Sequence, residues 1–223
     1  MSGNVVVTGA AGALGRAVCA ALMEAGYTVF GVDLADVPAG TATVPLPGVD
    51  LTDEASVARA FADVAARADA LQGLVNVAGG FRWETVADGS IDTWDFLYRI
   101  NVRTAVLATR AALPLLKTGG GSIVNVSAAA QSRADTGMGA YAASKSGVAR
   151  LTESLAAELK DAGVRVNAVL PSIIDTPVNR ADMPDADHDR WVAPRALAGV
   201  IAFLLSDGAA PITGALLPVT GRV

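Results

Sequence analysis

Short apolar runs alternate with longer Ala-rich stretches along the chain. Asn4–Thr8 (NVVVT) reads as a strand and residues 13–25 as a helix closed by Gly26. Residues 28–33 predict a second strand. Residues 44–50 predict a weak third one, interrupted by Pro45 and Pro47. Thr52 is the expected cap of a helix over 53–67, where Asp53 and Glu54 suit a positive helix N-terminus. Further strands are predicted over 74–78, 122–127, 164–170 and 215–219. Further helices are predicted over 91–117, 140–162 (ended by Gly163) and 194–205.

Strands that are apolar almost throughout are covered on both faces, the mark of a parallel sheet. Strands alternating with helices give right-handed crossovers. The expected fold is α/β: one doubly wound, Rossmann-type parallel sheet of about seven strands with helices on both faces. Residues 172–193 fit neither element type. They hold Pro177, Pro184, the aspartates 175, 182, 185, 187 and 189, and His188. A short substrate loop or lid is expected there.

At 223 residues, 1–223 is expected to be a single domain, since one core can still serve this length. Hydrophobic residues make up 52% and charged residues 17%, which excludes a disordered chain. A net charge of −5 argues against nucleic acid or an anionic membrane surface as partner. One cysteine, Cys19, and one histidine, His188, cannot form a disulfide or a Cys/His metal cluster, so no metal is expected. Cys19 is expected in the core and His188 in solvent. Arg110 interrupts the most apolar stretch, residues 105–116, which is too short to span a bilayer. Met1-Ser2-Gly3-Asn4 lacks the basic start of a signal peptide. A cytoplasmic protein is the expectation.

Ligands of such a sheet lie beyond the carboxyl ends of its strands. The first strand ends in Thr8-Gly9-Ala10-Ala11-Gly12-Ala13-Leu14-Gly15 and opens a helix. A tight turn, close backbone approach and free helix N–H groups are what a pyrophosphate needs. Gly9, Ala11, Gly12, Ala13, Leu14 and Gly15 are the expected contacts. Asp33 follows Gly15 by 18 residues at the end of the second strand. A carboxylate there accepts ribose hydroxyls and repels a 2′-phosphate, and Leu34 beside it offers no cation. Arg16 is the nearest cation in sequence, but it lies on the helix. NAD is therefore expected over NADP. Asp50 and Leu51 are candidate adenine contacts, with a turn or capping role equally open to Asp50. Ala78 and Gly79 let backbone approach a ribose. Asn76 has two open roles, a ligand contact or a tie between strands.

Ser127 ends the fifth strand. Tyr141 and Lys145 are four apart on the next helix and share one face. A phenol near an ammonium is expected to have a lowered pKa and to exchange a proton with a substrate oxygen. Lys145 is also a candidate for nicotinamide-ribose hydroxyls, and Ser127 for the substrate oxygen. Phe81, Trp83, Gln131, Arg133, Met138 and Trp191 lie near motif ends and are candidate substrate-lining residues.

These residues resemble the short-chain dehydrogenase/reductase superfamily over nearly the whole chain. The matches are the Thr8–Gly15 turn, Asp33, Asp50-Leu51, the Asn76–Gly79 segment and Ser127 with Tyr141-Ala142-Ala143-Ser144-Lys145. Asn167-Ala168-Val169-Leu170-Pro171 and Ser206-Asp207 with Ile212-Thr213-Gly214 also match. The resemblance implies an Asn-Ser-Tyr-Lys tetrad. Asn101 takes the Asn position, whose family role is to hold a water that links the Lys to solvent. It implies that Pro171, Ile174 and Thr176 lie by the nicotinamide, with Thr176 on the carboxamide. It implies an NAD(H)-dependent interconversion of a secondary alcohol and a ketone or aldehyde, and a homodimer or homotetramer built on the long helix and the Tyr-bearing helix. The spacing Val148, Leu151, Leu155, Leu159 is compatible with that interface and with core packing. Glycines at 9, 12 and 15 are spaced more like the extended members, for whose C-terminal substrate region this chain is too short. Ser172 replaces the usual glycine after Pro171. An epimerase or dehydratase of the extended type, and a dinucleotide-binding sensor or scaffold without turnover, remain alternatives.

Overall fold

The computed structural model describes residues 3–223; Met1 and Ser2, part of the signal-peptide reading, lie outside the described residues. Seven parallel strands form one sheet in the order β3-β2-β1-β4-β5-β6-β7. They are β1 (Asn4–Thr8), β2 (Thr28–Val32), β3 (Val44–Leu46), β4 (Gly73–Asn76), β5 (Ser122–Val126), β6 (Arg165–Pro171) and β7 (Leu216–Val219). The chain builds outward from β1 through β3, then returns to place β4 on β1's other side. That reversal opens a crevice at the carboxyl ends of β1 and β4.

Alternation along each strand divides the core. Val5 and Val7 face α1 (Ala13–Glu24) and α7 (Pro194–Leu205), meeting Val18, Leu22, Leu197 and Ile201. Val6, Leu74 and Ile123 face the other side, with α2 (Glu54–Ala65), α4 (Thr104–Gly119) and α5 (Gly139–Leu159). Cys19 is wholly buried as expected, and burial pushes its thiol up to about 12.

Several elements depart from the sequence reading. β3 stops at Leu46 because Pro47 offers no N–H and Gly48 turns the chain at φ +73°. Pro45 is tolerated because β3 is an edge strand. Asp53, not Thr52, caps α2: its carboxylate accepts from the Ala55 and Ser56 N–H groups at 3.3 and 3.0 Å. The long helix is split into α3 (Ile91–Tyr98), a π turn over Arg99–Arg103, and α4. The expected lid holds a short helix, α6 (Pro177–Asp182), and its ends are joined by a bridge between Ile174 and Val192. Val148, Leu155 and Leu159 are buried within this chain, with Leu151 packed against the cluster that holds Leu155 and Leu159, so this stripe is core and not an exposed interface. Among the described residues no helix is long and apolar enough to cross a membrane.

Candidate active site

The three glycines of the first turn have different reasons. Gly9 has φ +68°, and a Cβ there would lie 2.8 Å from the Ala78 nitrogen. A Cβ on Gly15 would collide with the Gly9 carbonyl. Gly12 has an ordinary φ of −70°, and a Cβ there would meet no protein atom closer than 3.4 Å. The fold itself needs Gly9 and Gly15; the bare face of Gly12 is left for something else. Helix α1 also has no side-chain cap, as is true of α5 and α7, whereas Asp53 caps α2 and Ser90 caps α3. Its first N–H groups thus meet the requirement for an anion. Thr8, which the sequence reading placed only within the motif, fixes the crevice. Its hydroxyl oxygen accepts from the Val77 and Ala78 N–H groups at 3.1 and 3.2 Å.

Asp33 has structural partners of its own. One carboxylate oxygen accepts from the Ala11 N–H and the other from the Ala35 N–H, both at 2.9 Å. It pins the glycine turn to the end of β2, and each oxygen retains a lone pair for a hydroxyl. A hollow of about 150 Å³ opens beside it, lined by Leu34, Asp50, Leu51, Ala78, Gly79 and Ile100 among others. Asp50 accepts the hydroxyl and the N–H of Thr52, each at 2.8 Å. Those bonds hold its carboxyl below the usual range. Arg103, which sequence reasoning missed, donates to the Thr52 carbonyl at 3.0 Å and anchors this wall to the π turn.

Asn76 is a strand tie. Its amide donates to Asn125 at 2.8 Å and Thr109 at 3.2 Å, and Asn125 donates on to Thr152 at 2.9 Å. This buried ladder joins β4 and β5 to α4 and α5, so of the two open roles the amide donors are spent on the tie between strands. The Asn76 side-chain oxygen is buried and unbonded among the described residues.

The π turn sets Asn101 in place. One extra residue in the helix turns the side chain onto the strand end, as such bulges often do at functional sites. Asn101 accepts from the Gly80 N–H and donates to the Gly80 carbonyl, both at 3.0 Å. It also donates to the Ser144 hydroxyl at 3.0 Å. A Cβ on Gly79 would come within 2.5 Å of the Asn101 oxygen and 3.4 Å of the Lys145 amine. Glycine at 79 is therefore what allows this convergence. Ser144, absent from the sequence candidates, is a positioning residue inside the Tyr141–Lys145 turn.

Lys145 is buried and donates to the Val126 carbonyl at 3.0 Å. The Ser127 hydroxyl donates to the Lys145 carbonyl at 2.8 Å. The Lys145 nitrogen lies 5.8 Å from the centre of the Tyr141 ring, and Phe81 meets that ring edge to face at 4.9 Å. Burial pushes the Tyr141 phenol up to about 12 and the Lys145 amine down to about 8. The expected lowering of the phenol by the ammonium is reversed. Burial disfavours the charged form of each group, and at this separation desolvation outweighs their attraction.

A family described as short chain dehydrogenase matches residues 3–187. The chain belongs to the short-chain dehydrogenase/reductase superfamily. It is 32% identical to a cyclopentanol dehydrogenase of Comamonas sp., over 97% of this chain and 95% of that protein. It is 34% identical to a D-threitol dehydrogenase of Mycolicibacterium smegmatis, over 97% and 90%. It superposes with TM-score 0.88 on a 3-ketoacyl-(acyl-carrier-protein) reductase from Brucella melitensis complexed with NADH, at 28% identity over 99% and 98% of the two chains.

Within this short-chain dehydrogenase/reductase fold, Pro171 ends β6 as the family pattern requires. Ser172, in place of glycine, donates its hydroxyl to the Thr220 carbonyl at 2.7 Å and is pinned to the chain after β7. Thr176 caps α6, accepting from the Asn179 N–H at 3.2 Å. This capping bond uses the hydroxyl oxygen as acceptor and leaves the hydroxyl proton free to be donated. Asn179 also donates to the Ile174 carbonyl at 2.7 Å. Arg180 clasps Asp175 with two bonds and holds that carboxyl below its ordinary value. His188 is not merely solvated: it bonds the Met183 carbonyl at 2.9 Å and packs on Trp191. Trp191 is buried in that packing and leaves the set of substrate-lining candidates. Arg133 is exposed; Gln131 and Met138 are half-buried in the segment leading into α5.

Proposed function

We propose that the protein is an NAD(H)-dependent oxidoreductase that interconverts a secondary alcohol and a ketone or aldehyde. The observation that carries this reading is the convergence of Asn101 and Lys145 on Gly79 at the strand ends, beside the open glycine turn. The residues suit a nicotinamide dinucleotide. The uncapped α1 and the bare Gly12 suit the pyrophosphate, the hollow by Asp50 and Leu51 suits the adenine, and Asp33 suits the ribose. When bound, the dinucleotide supplies or accepts the hydride. Asp33 sets a carboxylate where NADP would bring a phosphate, and exposed Leu34 adds no cation, which favours NAD.

At neutral pH the Tyr141 phenol keeps its proton and is ready to donate it to a carbonyl oxygen. In the opposite direction it receives the proton of the alcohol. Ser127 turns its hydroxyl from the Lys145 carbonyl to the substrate oxygen. Lys145 holds ribose hydroxyls, and its positive charge brings the phenol towards ionisation as they approach. Asn101 keeps the Gly79–Gly80 backbone in the shape this requires.

The compared dehydrogenases are nearly the length of this chain, which favours this reading over the extended epimerases. All members of the tetrad are present, which favours it over a sensor without turnover. The same proposal takes a small alcohol or carbonyl compound as partner, a cytoplasmic location, and a homodimer or homotetramer. The test is a turnover screen over small ketones and alcohols with NADH, NADPH and their oxidised forms. We expect NAD-linked turnover, and in Tyr141→Phe a kcat at least ~10²-fold lower with NADH affinity within about threefold. Near-normal turnover of that variant, or no turnover of any alcohol by the parent, overturns the reading.

A further inference from the structure

From the aromatic rim beside Tyr141 we infer that the substrate of the proposed reaction is an uncharged, ring-bearing secondary alcohol or ketone, seated against Phe81 and Trp83. The inference rests on the oxidoreductase reading and extends it to a substrate class. Phe81 touches the reacting phenol's ring, yet it is 52% exposed. Two residues on, Trp83 is 60% exposed. Large apolar side chains left in water together mark a surface that something covers.

The rim is built into the fold. Gly137 has φ +73°, and the Trp83 ring occupies the space its Cβ would take. The Glu84 N–H donates to the Gly137 carbonyl at 2.8 Å, so backbone as well as side chain ties the two segments. Two residues after Gly137 comes Gly139, the first residue of α5, and Tyr141 follows on the first turn of that helix. A Cβ on Gly139 would be in van der Waals contact with Trp94 at 3.6 Å and Val86 at 3.9 Å. Glycine at 137 thus lets the Trp83 ring lie against the turn that leads to the phenol, whereas the space beside Gly139 would also admit a methyl. Planar faces beside a reacting hydroxyl suit a ring by offset or edge contacts.

Three of the charged side chains flanking the rim have local partners. Arg82, between the two aromatics, lies over the Phe96 ring at 3.8 Å. Asp88 accepts from Thr85 at 3.0 Å, and Asp135 accepts from the Thr136 N–H at 2.7 Å. Arg133, exposed on the loop before α5, is the cation a carboxylate substrate would seek.

The test compares kcat/KM for 1-phenylethanol and cyclohexanol with that for 2,3-butanediol and 3-hydroxybutyrate. It uses the full chain and its Phe81→Ala and Trp83→Ala variants, with saturating NAD. Calorimetry of acetophenone binding in the presence of NAD and sedimentation accompany each variant. We expect the ring alcohols to be preferred at least ~10-fold, and each variant to lose ~10-fold or more of that preference. Acetophenone binding weakens in parallel and the oligomeric state stays unchanged. Preference for the diol or the carboxylate overturns the inference while leaving the oxidoreductase reading intact. So does a variant that changes assembly but not the ratio, since the rim is then a subunit contact. If no alcohol turns over, the oxidoreductase reading falls. Acetophenone binding then decides the rim: loss in Trp83→Ala supports it and retention overturns it.

Discussion

The two edges of the sheet invert the usual link between cavity size and chemistry. The larger hollow, about 660 Å³, lies at the amino edge among Gly120, Gly121, Lys160, Arg165 and Asp207. At the carboxyl edge a hollow of about 150 Å³ lies beside Asp33 and Asp50. Yet at the amino edge the half-buried cation is spent on the fold. Arg165 donates to the carbonyls of Leu204, Leu205, Ser206 and Ile212, at 2.7 to 3.5 Å. It closes the C-terminal end of α7, whose last carbonyls lack helical partners. At the carboxyl edge the helix end is left uncapped and a glycine is bare. Groups left unspent, more than volume, favour the carboxyl edge for the proposed chemistry.

Substitution at each edge sharpens this contrast. Arg165→Met removes a charged donor from four carbonyls and is expected to cost about 2–3 kcal/mol. For a chain of this length that lowers Tm by roughly 4–12 °C. Thermal denaturation reads it, and KM for NADH is expected to stay within about twofold. A raised KM with an unchanged Tm would assign the amino-edge hollow to ligand binding and break the comparison.

Gly12→Ala is the converse and the smaller effect. Its φ suits alanine and no protein atom obstructs the new methyl, so Tm is expected to hold within about 2 °C. The methyl would occupy the face left to the pyrophosphate, and the NADH Kd is expected to rise about tenfold. Fluorescence titration checks it. Unchanged affinity would place the dinucleotide elsewhere. Gly15→Ala, by contrast, collides with backbone and gives no interpretable site variant.

Much of this edge was readable in the sequence because its signals are local. The glycine turn follows β1 directly, and Tyr141 and Lys145 are neighbours on one helix. What stayed hidden depends on partners distant in sequence or on a helical irregularity. The Asp33 contact with Ala11 spans 22 residues, and the Asn76 contact with Asn125 spans 49. The π turn at Asn101 inserts one residue into an otherwise continuous helical pattern, and apolar spacing on either side conceals it. Thr52 and Asp53 are both good cap residues, and only the geometry shows Thr52 spent on Asp50. The phenol's direction of shift also failed to follow from proximity, because spacing along a helix does not reveal burial.

Burial of Lys145 separates the two edges once more, through pH. Its amine titrates near 8 in the folded chain, against 10.5 when exposed. Below pH 8 both folded and unfolded chains carry the proton, and the folded chain bears the full cost of a buried charge. Between about 8 and 10.5 the folded chain has released the proton and the unfolded chain still binds it. Stability therefore rises with pH across that window. Tyr141 and Cys19, each raised to about 12, act in the opposite sense above their unfolded values of 10.0 and 9.0. The measurement must thus be a difference: urea unfolding of the parent minus that of Lys145→Met, without dinucleotide, at pH 7.5 and 9.0. The parent is expected to gain about 1 kcal/mol relative to the variant over that step. A flat difference would mean that Lys145 titrates like a surface amine, with water or an anion reaching it in the chain alone. The strand-end cluster would then be no drier than the amino edge.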